Sequence, residues 1–241
     1  MEEWRYQPAQ DLHLSGTPRI QSLRREVGLI GAATCLSWRW LTRVYFAAAH
    51  RLEMHGREQL PAKPPYVLVA NHGSHLDAPV LAAAMPVRQV GRVFPIAAGD
   101  TFFTKTATSL FATACMNTLP IWRKKCGAHS LDDLRARLLD EGCIYILFPE
   151  GTRTRTGEIG KFKPGLGRLV AGTKAAVVPC HLDGAWEAMP PGRNWPKPVK
   201  ITLRIGRPLS FENAANERAG WNTVAEVTEA AVRELRTTVG K

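Results

Sequence analysis

The sequence predicts an α/β fold: a single layered domain with a mixed central sheet flanked by helices, preceded by an amphipathic N-terminal helical segment. Two observations predict it. Short apolar runs rich in β-branched residues recur along the chain, and segments with helical spacing lie between them. Strands that alternate with helices in this way form layered α/β domains. At 241 residues, the chain is long enough for one domain with a substantial core.

The predicted elements follow one another from residue 66 to the carboxyl end. Strands are predicted for the apolar runs at residues 66–70, 90–97, 143–148, 175–179 and 201–205. Helices are predicted for residues 78–85, 101–116, 131–139, 165–176 and 221–239, and Gly142 is a C-terminal stop for the third of them. The proline-rich stretch at residues 189–198 is typical of a surface loop.

Residues 1–55 are predicted to form an N-terminal helical, membrane-associating segment, and residues 56–241 an α/β domain. Within the first segment, residues 27–49 are apolar apart from Arg39 and Arg43, and tryptophan, tyrosine and phenylalanine crowd the same region. An apolar helix with basic edges and interfacial aromatic residues suits a helix that lies in a membrane surface. The alternative is a helix packed on the domain's own sheet, with both arginines facing water.

The N-terminal segment predicts neither a transmembrane helix nor a secretory leader. It holds no run of about 18 uncharged apolar residues, which a bilayer-spanning helix requires. Glu2 and Glu3 stand where a signal peptide would carry basic residues. The expected location is therefore the cytoplasmic face of the membrane, in a peripheral or monotopic attachment.

The net charge of +11 predicts a polyanionic partner, which could be nucleic acid, an anionic membrane surface or a phosphorylated substrate. The basic excess gathers at residues 123–125, 153–174 and 193–207. The five cysteines show no paired spacing, so we expect inert thiols in a reducing compartment and no metal site.

His72 and Asp77 form the first candidate catalytic group. They follow the apolar run at residues 66–70, so they are expected at the carboxyl end of a strand, where open α/β sheets build ligand sites. Five residues separate them, which suits a histidine in the turn and an aspartate in the first turn of the next helix. Asp77 could then hold one imidazole nitrogen while the other faces substrate, as in general-base catalysis. The alternative is a capping box with Ser74 as the N-cap, which gives His72 no role.

Residues 148–153, Phe-Pro-Glu-Gly-Thr-Arg, form the second candidate group. Pro149 ends the preceding strand and Gly151 permits a tight turn, so Glu150 and Arg153 are expected at the same sheet edge as His72. A phosphate could be gripped here by Arg153, by Lys163 and by the amino end of the helix predicted at residue 165. The alternative is a basic loop in which Glu150 pairs with Arg153. Arg123, after the apolar run at residues 119–121, could supply a third anion contact.

These groups together resemble the four sequence blocks of the glycerolipid acyltransferases, and are most similar to the bacterial 1-acylglycerol-3-phosphate (lysophospholipid) acyltransferases. The resemblance spans about residues 40–210. Its blocks are Asn71-His72-x4-Asp77, then Arg123, then residues 148–153, then Val178-Pro179.

The resemblance implies acyl transfer from acyl-CoA or an acyl-carrier protein to the hydroxyl of a lysophospholipid, in the first place 1-acylglycerol-3-phosphate, giving phosphatidic acid. His72 would be the base and Asp77 its orienting partner, with no metal or other cofactor. The implied head-group site consists of Arg123, Glu150, Gly151 and Arg153, and Thr152 and Lys163 complete the predicted substrate-binding set. The expected partners are the lyso-lipid, the acyl thioester, an anionic membrane surface and, as a donor, acyl-carrier protein; nucleic acid is not expected.

Two departures from the family pattern leave the acceptor open. Asn117 stands where the second block usually has glycine, and residues 97–101 lack a lysine that many members carry, with Lys105 as a replacement. A lyso-ornithine lipid, another lysophospholipid or a glycolipid could be the acceptor. The alternatives from other classes are a lipid thioesterase, in which the same base activates water, and a non-enzymatic basic nucleic-acid-binding module, which gives His72 and Asp77 no role.

Overall fold

The computed structural model describes residues 11, 13–26, 28–99, 106–121 and 128–237. Within these ranges, one mixed sheet contains seven strands in the order β1-β7-β6-β2-β5-β3-β4. The strands are β1 (Glu53–His55), β2 (Tyr66–Ala70), β3 (Val93–Ala98), β4 (Leu119–Ile121), β5 (Ile144–Leu147), β6 (Ala176–Asp183) and β7 (Thr202–Ile205). Strands β2 to β6 are mutually parallel, whereas β7 is antiparallel to β6 and β1 runs parallel to β7. The predicted mixed α/β sheet is confirmed.

Helices cover the faces and ends of this sheet. The α-helices are α1 (Gly16–Gln21), α2 (Leu29–His50), α3 (Asp77–Ala84), α4 (Thr106–Ala114), α5 (Ala128–Asp140), α6 (Gly165–Val170), α7 (Ala185–Ala188) and α8 (Arg218–Thr237). Two 3-10 helices, Arg57–Gln59 and Val87–Arg92, join elements. Among the described helices, none combines the length and apolar character needed to cross a bilayer.

The hydrophobic core lies on both faces of the sheet because successive side chains of a strand point to opposite faces. Val67 and Val69 of β2 pack in the layer that contains α5, α6 and α8. Tyr66, Leu68 and Ala70 pack in the layer that contains α2 and α3. All five residues of β2 are buried, as expected for a central parallel strand covered on both sides.

Helix α2 packs on the domain and also exposes an apolar face. Phe46 is buried in the core layer shared with α3, and the Arg39 guanidinium donates a hydrogen bond to the backbone carbonyl of Met85. Arg43 is exposed. The alternative that placed both arginines in water is therefore wrong for Arg39, because the end of α3 offers it a free carbonyl oxygen.

The predicted elements differ from the structure mainly at their ends. Residues 90–92 belong to a 3-10 helix rather than to β3, and β6 continues four residues past the predicted end at residue 179. Helix α6 ends at Val170 because Gly172 adopts a left-handed φ of +67°. The predicted helix at 101–116 is observed from Thr106, and residues 101–105 lie outside the described ranges. The division of the chain at residue 55 stays a prediction; β1 ends at that residue and lies in the sheet.

The parallel strands bring two sequence-distant loops to one edge of the sheet. β2 lies between β5 and β6 and pairs with both in parallel. The carboxyl ends of these three strands therefore meet at the same edge, which is where open α/β sheets bind ligands. The residues after β2 and those after β5 are neighbours there, although almost eighty positions separate them.

Candidate active site

The imidazole of His72 is hydrogen-bonded to the carboxylate of Asp77 at the carboxyl end of β2. His72 Nδ1 lies 2.9 Å from Asp77 Oδ2, and Asp77 is the first residue of α3. The same oxygen accepts the backbone N–H groups of Gly73 and Ser74, each at 2.8 Å. The side chain of Asp77 is 1% exposed and that of His72 is 22% exposed. Because a carboxylate only accepts, Nδ1 carries the proton and Nε2 is the nitrogen with a free lone pair.

The backbone of His72 is held on both sides by the loop after β5. Its N–H donates to Glu150 Oε1 at 2.7 Å, and its carbonyl accepts the N–H of Thr154 at 2.8 Å. The imidazole ring stacks on Phe148, with 4.2 Å between ring centroids and 16° between the planes. The loop at residues 148–154 therefore fixes both the position and the plane of the ring.

Glu150 joins three parts of the site through its two carboxylate oxygens. While Oε1 binds His72, Oε2 accepts the N–H of Gly160 at 2.9 Å. A Cβ at Gly160 would lie 2.9 Å from Oε2, so a larger residue there would require the Glu150 carboxylate to shift. Burial raises the pKa of Glu150, and the two backbone hydrogen bonds oppose that rise. The described contacts include no Glu150–Arg153 ion pair, and binding of substrate by Glu150 stays a prediction.

Ser74 is a structural residue of the turn. It is fully buried; its hydroxyl donates to the carbonyl of Met189 at 2.9 Å and accepts the N–H of Leu76 at 3.2 Å. The N-cap of α3 is Leu76, so the alternative of a capping box with Ser74 as the N-cap is wrong. The reason is that residues 75–76 form a turn and the helix begins only at Asp77, whose carboxylate reaches back to the Ser74 N–H.

Asn71 continues the pairing of β2 with β6 beyond the last strand residue. Its side-chain amide donates to the carbonyl of Leu182 at 2.9 Å and accepts the N–H of Leu182 at 2.8 Å. The strand register ends one step earlier, at Ala70 and Cys180. The amide therefore replaces a backbone peptide, which lets the chain leave the sheet and turn towards His72. Sequence reasoning missed this role; the signal was an amide residue directly after a fully apolar strand.

Arg153 lies beside the His72–Asp77 pair. It is half-buried, and among the described residues its guanidinium has no hydrogen-bond or ion-pair partner. Burial lowers the pKa of Arg153, and the Asp77 carboxylate opposes the decrease. Loss of solvation lowers the pKa of His75 to about 4, with Arg153 and His72 as further causes. The positive charge of Arg153 is therefore electrostatically coupled both to Asp77 and to His75.

The other predicted binding residues lie on the same loop or outside the described ranges. Gly151 adopts a φ of +74°, and a Cβ there would lie 2.7 Å from Lys163 Nζ, so the lysine amine lies against the loop. Thr152 is exposed, and its hydroxyl donates to the carbonyl of Arg153 at 3.2 Å. Arg123 and Lys105 lie outside the described residues.

Asn117 has the backbone conformation of a glycine. Its φ is +54°, a left-handed value that asparagine tolerates better than most residues. It is 3% exposed; its Oδ1 accepts a hydrogen bond from Arg25 at 3.0 Å, and its Nδ2 donates to the carbonyl of Val93 at 3.3 Å. The replacement of glycine by asparagine therefore preserves the turn before β4.

No cluster of three or more histidine, cysteine, aspartate or glutamate side chains suited to a metal ion occurs among the described residues. Four of the cysteines are described, all of them free. Burial raises the pKa of every one of these thiols.

Comparison with known proteins places this fold and site in a family. Residues 51–183, more than half of the chain, match the model of the acyltransferase family. The chain is 33% identical over 152 residues to 1-acyl-sn-glycerol-3-phosphate acyltransferase LPAT1 of Arabidopsis thaliana, an alignment that covers 59% of this chain and 39% of the plant protein. It is 29% identical over 147 residues to human 1-acyl-sn-glycerol-3-phosphate acyltransferase alpha, covering 59% and 49%. The chain thus spans less than half the length of these two relatives.

A solved structure shows the same architecture. The crystal structure of the 1-acyl-sn-glycerophosphate acyltransferase PlsC from Thermotoga maritima superposes with a TM-score of 0.66 at 22% identity, covering 87% of this chain and 81% of that one. The protein described here belongs to the acyltransferase family.

Proposed function

We propose that the protein transfers a fatty acyl group from a thioester to the hydroxyl of a lysophospholipid, with 1-acylglycerol-3-phosphate as acceptor and phosphatidic acid as product. The observation that carries the proposal is the 2.9 Å hydrogen bond between His72 Nδ1 and the buried Asp77, with the cation of Arg153 beside it. Family membership and the names of the plant and human relatives support the same chemistry.

The reaction is a direct displacement at the thioester carbonyl. His72 Nε2 takes the proton of the acceptor hydroxyl as its oxygen bonds to the carbonyl carbon. The Asp77 carboxylate stabilises the imidazolium that forms, through the Nδ1–H. The tetrahedral intermediate then expels the sulfur, and the imidazolium returns its proton to the thiolate. The products are the O-acyl lipid and a free thiol.

The phosphate of the acceptor is bound by the loop after β5. The Arg153 guanidinium is coupled to the Asp77 carboxylate of the catalytic pair, and its five donors suit a phosphate group. The Lys163 amine lies against Gly151 in the same loop. A phosphate held there would place the glycerol hydroxyl close to His72, because the loop and the base share one sheet edge.

The acyl thioester is a co-substrate, and the reaction as written uses no further cofactor. Acyl-CoA and acyl-carrier protein both present the same thioester carbonyl to His72. Contacts with the CoA or with the carrier protein, outside the active-site residues, decide which of the two donates the acyl group.

The protein meets its lipid acceptor at a membrane surface, on the cytoplasmic face. Helix α2 buries Cys35, Thr42, Phe46 and His50 along one face. Its opposite face exposes large apolar side chains, and α4 adds two more next to it, since Phe111 packs edge-to-face on Trp38 of α2. We call this the apolar surface; it consists of Leu29, Ile30, Leu36, Trp40, Leu41, Val44, Tyr45, Leu110 and Phe111. Together with exposed Arg43, it suits peripheral attachment to an anionic bilayer.

The proposal is tested by assaying acyl transfer from one long-chain acyl-CoA to a panel of lyso-lipids, with free thiol and O-acyl product both measured. His72→Ala should lower kcat at least about 100-fold, because it removes the general base. His55→Ala is the matched control, since His55 also lies next to a carboxylate, Glu53 at 3.7 Å, but on the exposed edge strand.

Three outcomes would contradict the proposal. Normal turnover in folded His72→Ala protein would remove the base from the mechanism. Thiol release at the same rate with and without a lyso-lipid would make the protein a thioesterase. A preference for an acceptor without phosphate would keep the chemistry but reject 1-acylglycerol-3-phosphate.

A further inference from the structure

A polar cavity borders Asp77 and Glu150 of the active site. We call it the rear cavity; it measures about 50 Å³, and the residues that line it include Asp77, Glu150, His181, Asp183, Trp186 and Arg236. His72 is not among its lining residues. This volume exceeds the roughly 10–15 Å³ that one ordered water molecule needs.

Three residues that line the rear cavity each carry a buried polar atom without a hydrogen-bond partner among the described residues. These atoms are Oδ1 of Asp77, Nδ1 of His181 and Nε1 of Trp186. Asp77 is 1% exposed and His181 is 4% exposed. Buried polar atoms in native proteins are almost always paired with protein or ordered water, which suits a shared partner for three residues around one cavity.

The chemistry of these atoms fits water as that partner. A carboxylate oxygen only accepts and an indole N–H only donates, whereas one water molecule can do both. Burial lowers the pKa of His181 to about 4, so its ring is neutral at pH 7 and offers one donor and one acceptor. A water that accepts from Trp186 and donates to Asp77 satisfies both.

We propose that ordered water in the rear cavity bridges the Trp186 indole to the free oxygen of Asp77, and that Trp186 is a positioning residue for the His72–Asp77 pair. The inference rests on the proposed acyl transfer. Asp77 Oδ2 already accepts three hydrogen bonds, and the bridge holds Oδ1, which fixes the rotation of the carboxylate.

Packing brings Trp186 close to the turn that carries the base. A Cβ at Gly73 would lie 2.9 Å from Cβ of Trp186, and a Cβ at Gly157 would lie 3.2 Å from the indole ring. Trp186 therefore lies directly against the backbone after His72, with its ring between two glycines. Phenylalanine at this position lacks the N–H and keeps a smaller aromatic ring on the same Cβ.

Charged groups lie on both sides of Asp77 and would contribute to the pH dependence of kcat in the variants. Those that line the rear cavity are Glu150, Glu158, His181, Asp183, Glu187 and Arg236. Those coupled to the pair on its other side are His75 and Arg153. For this reason, the test uses a constant pH of 7.

The test compares Trp186→Phe with Trp221→Phe in the full chain. Trp221 also donates an indole hydrogen bond, to Asn216 Oδ1 at 2.9 Å, but on the distant helix α8. Trp186→Phe should lower kcat about tenfold and leave KM for both substrates within about twofold, because the indole positions the base and touches neither substrate. Trp221→Phe should change neither. Both variants should show similar unfolding midpoints in urea.

The water itself is detected in the substrate-free protein by NMR. The indole proton signal that disappears in Trp186→Phe should show a cross-peak to a long-lived water. A kcat within twofold of wild type, or an indole proton with no water contact, would overturn the inference. If wild-type protein transfers no acyl group, the proposed function fails, and the water measurement still decides whether the bridge exists.

Discussion

Glu150 shows how one carboxylate orders the whole site. Each of its two carboxylate oxygens accepts one backbone hydrogen bond, Oε1 from the N–H of His72 and Oε2 from the N–H of Gly160. It is 8% exposed, so this arrangement is largely shielded from water. An additional hydrogen bond to a substrate hydroxyl is chemically compatible, because two lone pairs remain. The hydrogen bonds that exist, however, make Glu150 the residue that ties the base to the binding loop.

Arg153→Ala should raise KM for a phosphate-bearing acceptor about 10- to 100-fold with a smaller effect on kcat, because charge-assisted hydrogen bonds to the phosphate are lost. The acceptor KM is measured by steady-state kinetics with varied acceptor concentration at a fixed concentration of acyl-CoA. Arg155→Ala removes the same charge from an exposed position two residues away and is the matched control. An acceptor KM that is the same in Arg153→Ala and wild type would mean that the phosphate is bound elsewhere.

His72 and Asp77 could be predicted as a pair from the sequence because only five positions separate them. A strand followed by a turn and a helix brings residues at this spacing together. The sequence could not predict the hydrogen bonds of Asn71 to Leu182 and of Ser74 to Met189. Those hydrogen bonds join residues more than a hundred positions apart. Local spacing carries no information about them; only the order of strands in the sheet does.

Among the elements, β4 and the turn before it show why short segments escape prediction. β4 is three residues long and contains Pro120, so neither period nor composition distinguishes it from a loop. The turn depends on the left-handed Asn117, whose side chain is held by Arg25 and Val93. The longer buried strands β2 and β5 were predicted almost to the residue, because continuous apolar runs of that length fit a central parallel strand.

The conformation of Asn117 predicts an unusual order of stability among its variants. Asn117→Gly should be more stable than Asn117→Ala by about 1 kcal/mol, since alanine is strained at positive φ. Urea denaturation measures both. At Thr223, on the exposed side of α8, the order should reverse, because alanine is the better helix former. An alanine variant at position 117 that equals the glycine variant would show that the turn relaxes to another conformation.

Among the described residues of the whole molecule, exposed large apolar side chains are concentrated on α2 and α4. Of the thirteen large apolar residues that are exposed in the described part of the chain, seven lie on α2 and two on the adjacent α4. Monomeric soluble proteins rarely expose large continuous apolar patches, and those that occur mark interaction surfaces. The sequence predicted an apolar helix here and left open whether it lies in a membrane surface or packs on the sheet; the structure shows that one face of α2 packs in the core of the α/β domain.

Val44→Glu should lower binding to anionic phospholipid vesicles about tenfold, because it places a negative charge in the apolar surface. Val227→Glu is the matched control: both valines lie on long helices, and their exposures are 47% and 43%. Co-sedimentation with vesicles measures the bound fraction. Equal loss in both variants would assign the effect to net charge, and no loss in Val44→Glu would exclude α2 as the attachment site.

The residues after β2 are held by hydrogen bonds to residues that are synthesised much later. Glu150 follows His72 by 78 residues, Leu182 follows Asn71 by 111 and Met189 follows Ser74 by 115. A nascent chain that has not yet emerged to residue 189 therefore contains His72 and Asp77 but lacks the later residues that hold the backbone around them. If acyl transfer is the reaction, we expect an unfinished polypeptide not to consume activated fatty acids, because its base is not yet held in place.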